Sequence, residues 1–151
     1  MQNTHVINQL DRVRVLESFA DASHPRSHKL SHALACGDTP AHIARLLRRM
    51  QHARPINPAH VPNDMVTMNS IVRLIDLDTL ELRRVALVYD ALCAHDTPPG
   101  VELVEIQEEL GSELLARSVG DTIQLNSRTH RARLRIDALE YQPEGAGHLD
   151  R

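Results

Sequence analysis

Apolar residues near the start of the chain recur at the spacing of an amphipathic helix. The set consists of Val6, Leu10, Val13 and Leu16 or Phe19. Asn8, with Asp11 three residues later, is a typical helix start signal. The pattern therefore predicts a first helix that runs to about Ala22.

A second apolar stripe consists of Ile43, Leu46, Leu47 and Met50. Thr39-Pro40 precedes it and predicts a hydroxyl cap followed by a proline in the first helical position. This helix should end before Pro55, because a residue that precedes proline is disfavoured in the helical region. Since each helix presents one narrow apolar face, we expect the pair to form an antiparallel hairpin before Ala53.

The stretch from Ala53 to Asp64 holds Pro55, Pro58 and Pro62. Such a density of proline favours an extended, stiff connection over further helix. We therefore predict a boundary here, with a helical hairpin and linker in residues 1–60 and a second domain in residues 61–151.

From Met65 onward the apolar positions alternate, and β-branched residues become frequent. The predicted strands are Ser70 to Leu77, Glu81 to Tyr89, Val101 to Ile106, Thr122 to Asn126 and Arg131 to Tyr141. One helix, Glu109 to Arg117, interrupts them with its leucines toward the sheet. The residues thus predict an α+β fold, a curled antiparallel sheet over one helix.

Composition narrows the function classes. The chain of 151 residues has a net charge of −3, and Lys29 is its only lysine, so the footprint of a general nucleic-acid binder is missing. The isolated Cys36 and Cys93 indicate neither a disulfide framework nor a zinc ribbon. With no apolar run long enough for a membrane span or a signal peptide, we expect a cytoplasmic protein.

Catalytic motifs are missing as well. The sequence has no His-Glu-x-x-His, no Gly-x-Ser-x-Gly and no phosphate-binding glycine loop. No pattern joins a nucleophile to a base, and no cofactor is implied. The sequence therefore predicts a protein that is not an enzyme.

Four landmarks occur in a fixed order through roughly the last ninety residues. They are Val66-Thr67-Met68-Asn69-Ser70, Leu87-Val88-Tyr89, Leu114-Leu115 leading into Val119-Gly120-Asp121, and Glu140-Tyr141-Gln142-Pro143-Glu144. In this combination the chain resembles the regulator of nucleoside diphosphate kinase family, which is related to the Gre transcript-cleavage factors. The resemblance implies a Gre carboxyl-terminal fold, similar to FK506-binding proteins, after the hairpin.

The same resemblance implies a partner. It predicts binding to RNA polymerase, with the strand-rich domain near the mouth of the secondary channel and competition with other factors there. The residues that match the docking segment are Glu109, Ser112, Arg117, Gly120 and Asp121. Where relatives have a small residue and proline before this helix, this chain has Glu108-Glu109, either as helix-capping charge or as a source of repulsion from an acidic partner.

The FK506-binding-protein resemblance also raises prolyl isomerisation as an activity. Such pockets are lined by aromatic rings, whereas Phe19, Tyr89 and Tyr141 are the only aromatic residues of this chain. Fold likeness alone supplies no function. We therefore expect no isomerase activity.

The predicted hairpin tip offers two further interpretations. His24, His28, His32 and Cys36 are spaced four apart, so they form either a metal-binding face or a solvated loop. The Gre factors carry paired acidic residues at this position, whereas here Asp21 and Asp38 stand apart. With helices of roughly fourteen residues, near 20 Å long, we expect no stimulation of transcript cleavage. The hairpin-tip candidates are His28, His32 and Asp38.

Three arginines share one face of the last predicted strand, Arg131, Arg133 and Arg135, and Arg128 extends the stripe. These arginines either contact RNA phosphates or an acidic groove of a partner protein, or they form the solvated side of a sheet. Because no aromatic residue interleaves them, direct nucleic-acid binding is not expected. The favoured function is a non-catalytic polymerase-binding regulator, and a metal-responsive module that uses the tip is the alternative.

Overall fold

Two helices and two short strands precede a five-stranded sheet. The computed structural model describes residues 6–20, 37, 39–92, 94, 97–126 and 131–148. The elements in chain order are β1 (Val6–Asn8), α1 (Gln9–Ala20), α2 (Ala41–His52), β2 (Arg54–Ile56), β3 (Ile71–Asp76), β4 (Leu82–Val88), β5 (Glu102–Glu105), α3 (Glu109–Leu114), β6 (Thr122–Asn126) and β7 (Arg131–Tyr141). Among these described segments no helix has the length and apolar character needed to cross a membrane.

The chain begins with a strand, not with the predicted helix. β1 pairs in parallel with β2, so that Ile7 lies opposite Pro55. The helix starts only after Asn8, whose side-chain oxygen accepts a hydrogen bond from the Leu10 N–H at 2.9 Å. The predicted start signal at Asn8 is therefore confirmed, whereas the assignment of Val6 to the helix was wrong.

The second helix confirms its predicted end and corrects its predicted start. α2 ends at His52, and Ala53 is already extended ahead of Pro55. Pro40 occupies the position that precedes the first helical residue, and no side chain caps the helix. The predicted hydroxyl cap at Thr39 was thus wrong by one position.

The main sheet has the strand order β5-β4-β3-β7-β6. All five strands lie where the alternation predicts them, and the bounds of β6 and β7 agree with the prediction. One pairing differs, because β5 runs parallel to β4, with Val85 opposite Glu102. The prediction of a wholly antiparallel sheet was therefore wrong at this edge. The segment 89–101 is long enough for the crossover connection that a parallel neighbour needs.

The helix of the second half is shorter than predicted. α3 ends at Leu114, and Leu115 is extended. Ala116 has a positive φ of 64°, and its N–H donates to the Val66 carbonyl at 2.9 Å. Val66 in turn donates to the Arg117 carbonyl at 2.7 Å. Residues 115–117 thus form a turn that hydrogen bonds to Val66 instead of continuing the helix.

One hydrophobic core joins the helices to the sheet. Phe19 of α1 and Leu46 of α2 belong to the same buried cluster as Met68, Leu87 and Ile136. This core extends across the predicted boundary near residue 60. The two-domain division, the antiparallel hairpin and the FK506-binding-protein likeness stay predictions.

Candidate functional site

The helix α3 is held against the sheet by a glycine. A Cβ atom on Gly111 would lie 2.0 Å from the backbone oxygen of Glu105 at the end of β5. No side chain fits such an approach, so α3 can lie this close to the strand only with glycine at this position. The sequence pattern gave no signal for this contact, because a lone glycine inside a helix indicates only lower stability.

The two glutamates before and within α3 have structural partners. Glu108 precedes the helix, and its carboxylate accepts the Glu105 N–H at 2.9 Å without capping α3. Glu109 lies in the first turn and accepts the Asn126 N–H at 3.0 Å. The negative charge of Glu109 suits the positive end of the helix, whereas the Glu108 side chain makes no capping hydrogen bond.

The buried part of the predicted docking segment is Ser112. Its side chain is fully buried, and its hydroxyl donates to the Glu109 carbonyl at 2.8 Å. Such a residue stabilises the helix from within and offers no surface to a partner. Ser112 is therefore separated from the other four docking candidates, which are partly or fully exposed.

Glu113 is the centre of an arginine cluster. It is buried, and its carboxylate lies 3.0 Å from Arg45, 3.6 Å from Arg49 and 3.2 Å from Arg117. Because Arg45 and Arg49 belong to α2, this cluster fastens α2 to α3. A single carboxylate faces three guanidinium groups, so the cluster keeps an excess of positive charge.

Arg49 is the most enclosed cation of that cluster. It donates to the carbonyl oxygen of Ser112 at 3.1 Å and also to that of Leu115. Burial and the nearby Arg117 charge together lower the pKa of Arg49 to about 10, against the opposing effect of Glu113. The helical periodicity of α2 placed Arg49 outside its apolar stripe and gave no signal for this role.

A tight turn carries the last two docking candidates. Gly120 has a φ of 95°, which favours glycine, and its N–H donates to the Ile136 carbonyl at 2.8 Å. The Asp121 carboxylate accepts the Ser118 N–H at 2.9 Å. Val119 is 38% exposed between them and Arg117. We define the docking patch as Arg117, Val119, Gly120 and Asp121.

The arginine stripe lies on an exposed face, as predicted. Along β7 the exposed positions 131, 133 and 135 alternate with buried ones. Arg133 contacts Asp78 at 2.8 Å, and Arg135 lies 3.8 Å from Asp137. These acidic partners favour the solvated sheet surface over a nucleic-acid contact. Arg128 lies outside the described residues.

The hairpin-tip candidates His28, His32 and Asp38 also lie outside the described residues, as do His24 and Cys36. Within the segments that the structure does describe, no three His, Cys, Asp or Glu side chains are grouped to hold a metal ion. The metal-responsive alternative therefore gains no support from the fold.

A second polar cluster lies buried between α1 and the sheet. Asp11 is completely buried, and its carboxylate accepts the Met68 N–H at 2.9 Å. In the described part of the chain, the other carboxylate oxygen of Asp11 and the buried hydroxyl of Tyr89 have no hydrogen-bond partner. Burial raises the pKa of Asp11 to about 7, and the nearby Glu144 charge contributes, while the Met68 N–H and Arg14 oppose the rise. Burial likewise raises the pKa of Tyr89.

The sequence landmarks meet at this cluster, which we call the buried junction. Glu144 accepts hydrogen bonds from the Thr67 hydroxyl, at 2.7 Å, and from the Asn8 side chain. Gln142 donates to the carbonyl oxygens of Pro62 and Met65 at 2.8 and 2.7 Å. The first and the last landmark therefore attach the amino-terminal elements to the sheet. The Val119-Gly120-Asp121 landmark alone reaches the docking patch.

The fold and its relatives define a class. A solved transcription elongation factor GreA/GreB from Nitrosomonas europaea superposes on 93% of this chain and all of its own, with a TM-score of 0.63 and 25% identity. The transcription elongation factor GreA of Chlorobium phaeovibrioides is 25% identical over 124 residues, which are 79% of this chain and 76% of that protein. The chain thus has the fold of the Gre transcription elongation factors.

Within this class the match to one group is stronger. The regulator of nucleoside diphosphate kinase of Escherichia coli (strain K12) is 33% identical over 151 residues, covering 95% of this chain and 94% of that protein. The same protein of Shigella flexneri matches equally well. The chain belongs to the regulator of nucleoside diphosphate kinase family. No family model matches it.

Proposed function

We propose that this chain binds RNA polymerase at the secondary channel and regulates transcription without stimulating transcript cleavage. The observation that carries the proposal is the alignment over 95% of the chain with a regulator of nucleoside diphosphate kinase, combined with a likeness to transcription elongation factors. Family membership adds an effect on the level of nucleoside diphosphate kinase, which need not involve contact with that enzyme.

The docking patch suits a protein partner. Val119 exposes apolar surface between the cationic Arg117 and the anionic Asp121. An apolar centre with a charged rim is the usual anatomy of a protein interface. The turn that carries Val119 is fixed by hydrogen bonds to β7, so the patch is preorganised and loses little entropy on binding.

A pair of matched variants tests the docking patch. Val119→Glu puts a carboxylate at the centre of the patch, whereas Leu82→Glu makes the same change on β4, where the side chain is 60% exposed. We expect Val119→Glu to weaken binding to core RNA polymerase by about tenfold or more, because an interface centre tolerates no unpaired charge. Leu82→Glu should bind like the unmodified chain. Equal affinities of the two variants would contradict the assignment of the patch.

The absence of cleavage activity is a separate part of the proposal. The sequence lacks a side-by-side acidic pair in the region of Asp21 to Asp38. We expect no shortening of the transcript when the protein is added to a stalled elongation complex, with GreA as the positive control. Rapid transcript shortening at a concentration that saturates binding would contradict this part alone.

A further inference from the structure

A cavity of about 300 Å³ lies where α2 ends, beside β1 and the segment that follows α3. This volume is at the lower end of the range for small-molecule sites, about 300 to 1,000 Å³. Apolar side chains of Ile7, Leu46, Met50 and Leu115 line it. Such a lining favours the hydrocarbon part of a small ligand.

Basic side chains form the polar part of the lining. Arg48, Arg49, Arg117 and His52 all border the cavity. Arg49 and Arg117 share the single carboxylate of Glu113 with Arg45, so their positive charge is only partly balanced. The carboxyl end of α2 carries a partial negative charge of roughly one half, which disfavours an anion. The positive charges of the guanidinium groups are larger and outweigh this effect.

Arg48 and His52 are the basic side chains that are free to meet a ligand. Both are exposed on the last turns of α2. Neither has an ion-pair or hydrogen-bond partner in the described part of the chain. Arg49, by contrast, already donates to two carbonyl oxygens. An arginine at the mouth of an apolar cavity is suited to a carboxylate or phosphate, which it binds through two parallel hydrogen bonds.

We propose that this cavity binds a small amphipathic anion, with its apolar body among Ile7, Leu46 and Met50 and its charged group at Arg48. The proposal commits to this occupant because an apolar floor and a cationic rim together fit neither a neutral hydrocarbon nor a bare inorganic ion. It goes beyond polymerase binding and does not depend on it.

Titration of the full chain with octanoate, followed by amide NMR, tests the proposal. We expect saturable shifts of the amides of Ala53, Leu115, Ala116 and Arg117, which line the cavity. The neutral analogue 1-octanol should bind more weakly, because it leaves the cationic rim unpaired. Shifts that are absent, that do not saturate or that spread evenly over the surface would overturn the site. Equal affinity for octanoate and 1-octanol would overturn its preference for anions.

Two charge reversals provide matched variants. Arg48→Glu removes the proposed anion contact, whereas Arg54→Glu makes the same charge change on exposed β2, outside the lining. An exposed charge pair corresponds to up to about fivefold in affinity. Because the reversal removes this attraction and adds a repulsion of similar size, we expect Arg48→Glu to weaken octanoate binding about fivefold or more. Arg54→Glu should weaken it less than about twofold. The same loss in both variants would indicate general charge attraction and would contradict the proposed role of Arg48.

Discussion

The two polar clusters of this protein handle buried charge in different ways. In the arginine cluster, the buried Glu113 carboxylate is paired with three guanidinium groups. In the buried junction, Asp11 has a backbone N–H on one oxygen and no hydrogen-bond partner on the other among the described residues. The first cluster fastens α2 to α3, and the second fastens α1 to the sheet.

The difference shows that burial and pairing have separate consequences. The Glu113 carboxylate is buried among guanidinium groups. The Asp11 carboxyl lacks such partners, and burial raises its pKa to about 7. The junction should therefore respond to pH, and the arginine cluster should respond to loss of a partner. The sequence landmarks mark the junction and give no sign of the arginine cluster.

The largest expected effect is the pH dependence of the junction. The folded state holds the Asp11 proton more tightly than the unfolded state, because its pKa rises from the ordinary 3.8 to about 7. The resulting stabilisation is fully present below about pH 4 and is lost as the pH rises through 7, with a total of ~4 kcal/mol. Urea unfolding between pH 4 and pH 8 measures it.

The variant Asp11→Asn isolates this contribution. Because an amide keeps an acceptor for the Met68 N–H and carries no charge, the variant should lose this part of the pH dependence and should be more stable than the unmodified chain at pH 8. Asp64→Asn, which removes an exposed carboxylate, is the control and should keep the dependence. A parallel pH profile for Asp11→Asn and the unmodified chain would show that Asp11 is not held neutral.

A smaller effect is expected where α3 approaches β5. Gly111→Ala places a Cβ 2.0 Å from the Glu105 oxygen, so helix and strand must separate. We expect a loss of about 3 kcal/mol in the free energy of unfolding, measured in urea. Gly120→Ala measures the cost of backbone strain alone. Its Cβ would contact nothing within 4 Å, but its φ of 95° disfavours a residue with a side chain. That variant should lose about 1 kcal/mol. A loss at Gly111 no larger than at Gly120 would contradict the close approach.

Removing the charge of Glu113 should lower the free energy of unfolding by somewhat less than Gly111→Ala does. Glu113→Gln leaves Arg49 and Arg117 without a carboxylate, and the side chain of Glu113 is only 10% exposed. We expect a loss of about 2 kcal/mol in the free energy of unfolding. Glu102→Gln is the control, because the Glu102 side chain is 53% exposed in its pair with Arg83 and should change stability by less than about 0.5 kcal/mol. If both variants lose the same amount, burial does not distinguish the two pairs.

The smallest effect is expected on the arginine stripe. Arg133 and Asp78 are both more than half exposed, so their ion pair is screened by solvent. Arg133→Glu should leave the affinity for core RNA polymerase unchanged in the same binding assay that is used for the Val119 variant. A clear loss of affinity would move the stripe from solvated surface to interface.

Local patterns predicted the elements well and their long-range partners poorly. The alternation that predicts β6 and β7 arises from one buried face, which a single strand already displays. The parallel pairing of β1 with β2 joins Ile7 to Pro55, and no local signal encodes such a contact. The parallel position of β5 is equally non-local, because the length of the 89–101 connection permits either direction.

The candidate site was predictable only through the resemblance. It grouped Arg117, Gly120 and Asp121 as docking candidates. Gly120 and Asp121 are exposed at one turn, and the half-buried Arg117 lies just before it. It also included Ser112, which is buried, because a sequence match does not report which side of a short helix faces the core. Asp11 was assigned to a helix start, since a carboxylate near an amino terminus fits that role as well as it fits a buried hydrogen bond.

Binding to RNA polymerase is the central proposal. Size-exclusion chromatography with core RNA polymerase, followed by addition of GreA, measures this binding directly. We predict that the protein co-elutes with the polymerase at micromolar concentration and that GreA displaces it, which would indicate a shared site. Failure to co-elute at tens of micromolar would contradict the proposed function. Co-elution that persists in excess GreA would contradict the proposed location at the secondary channel.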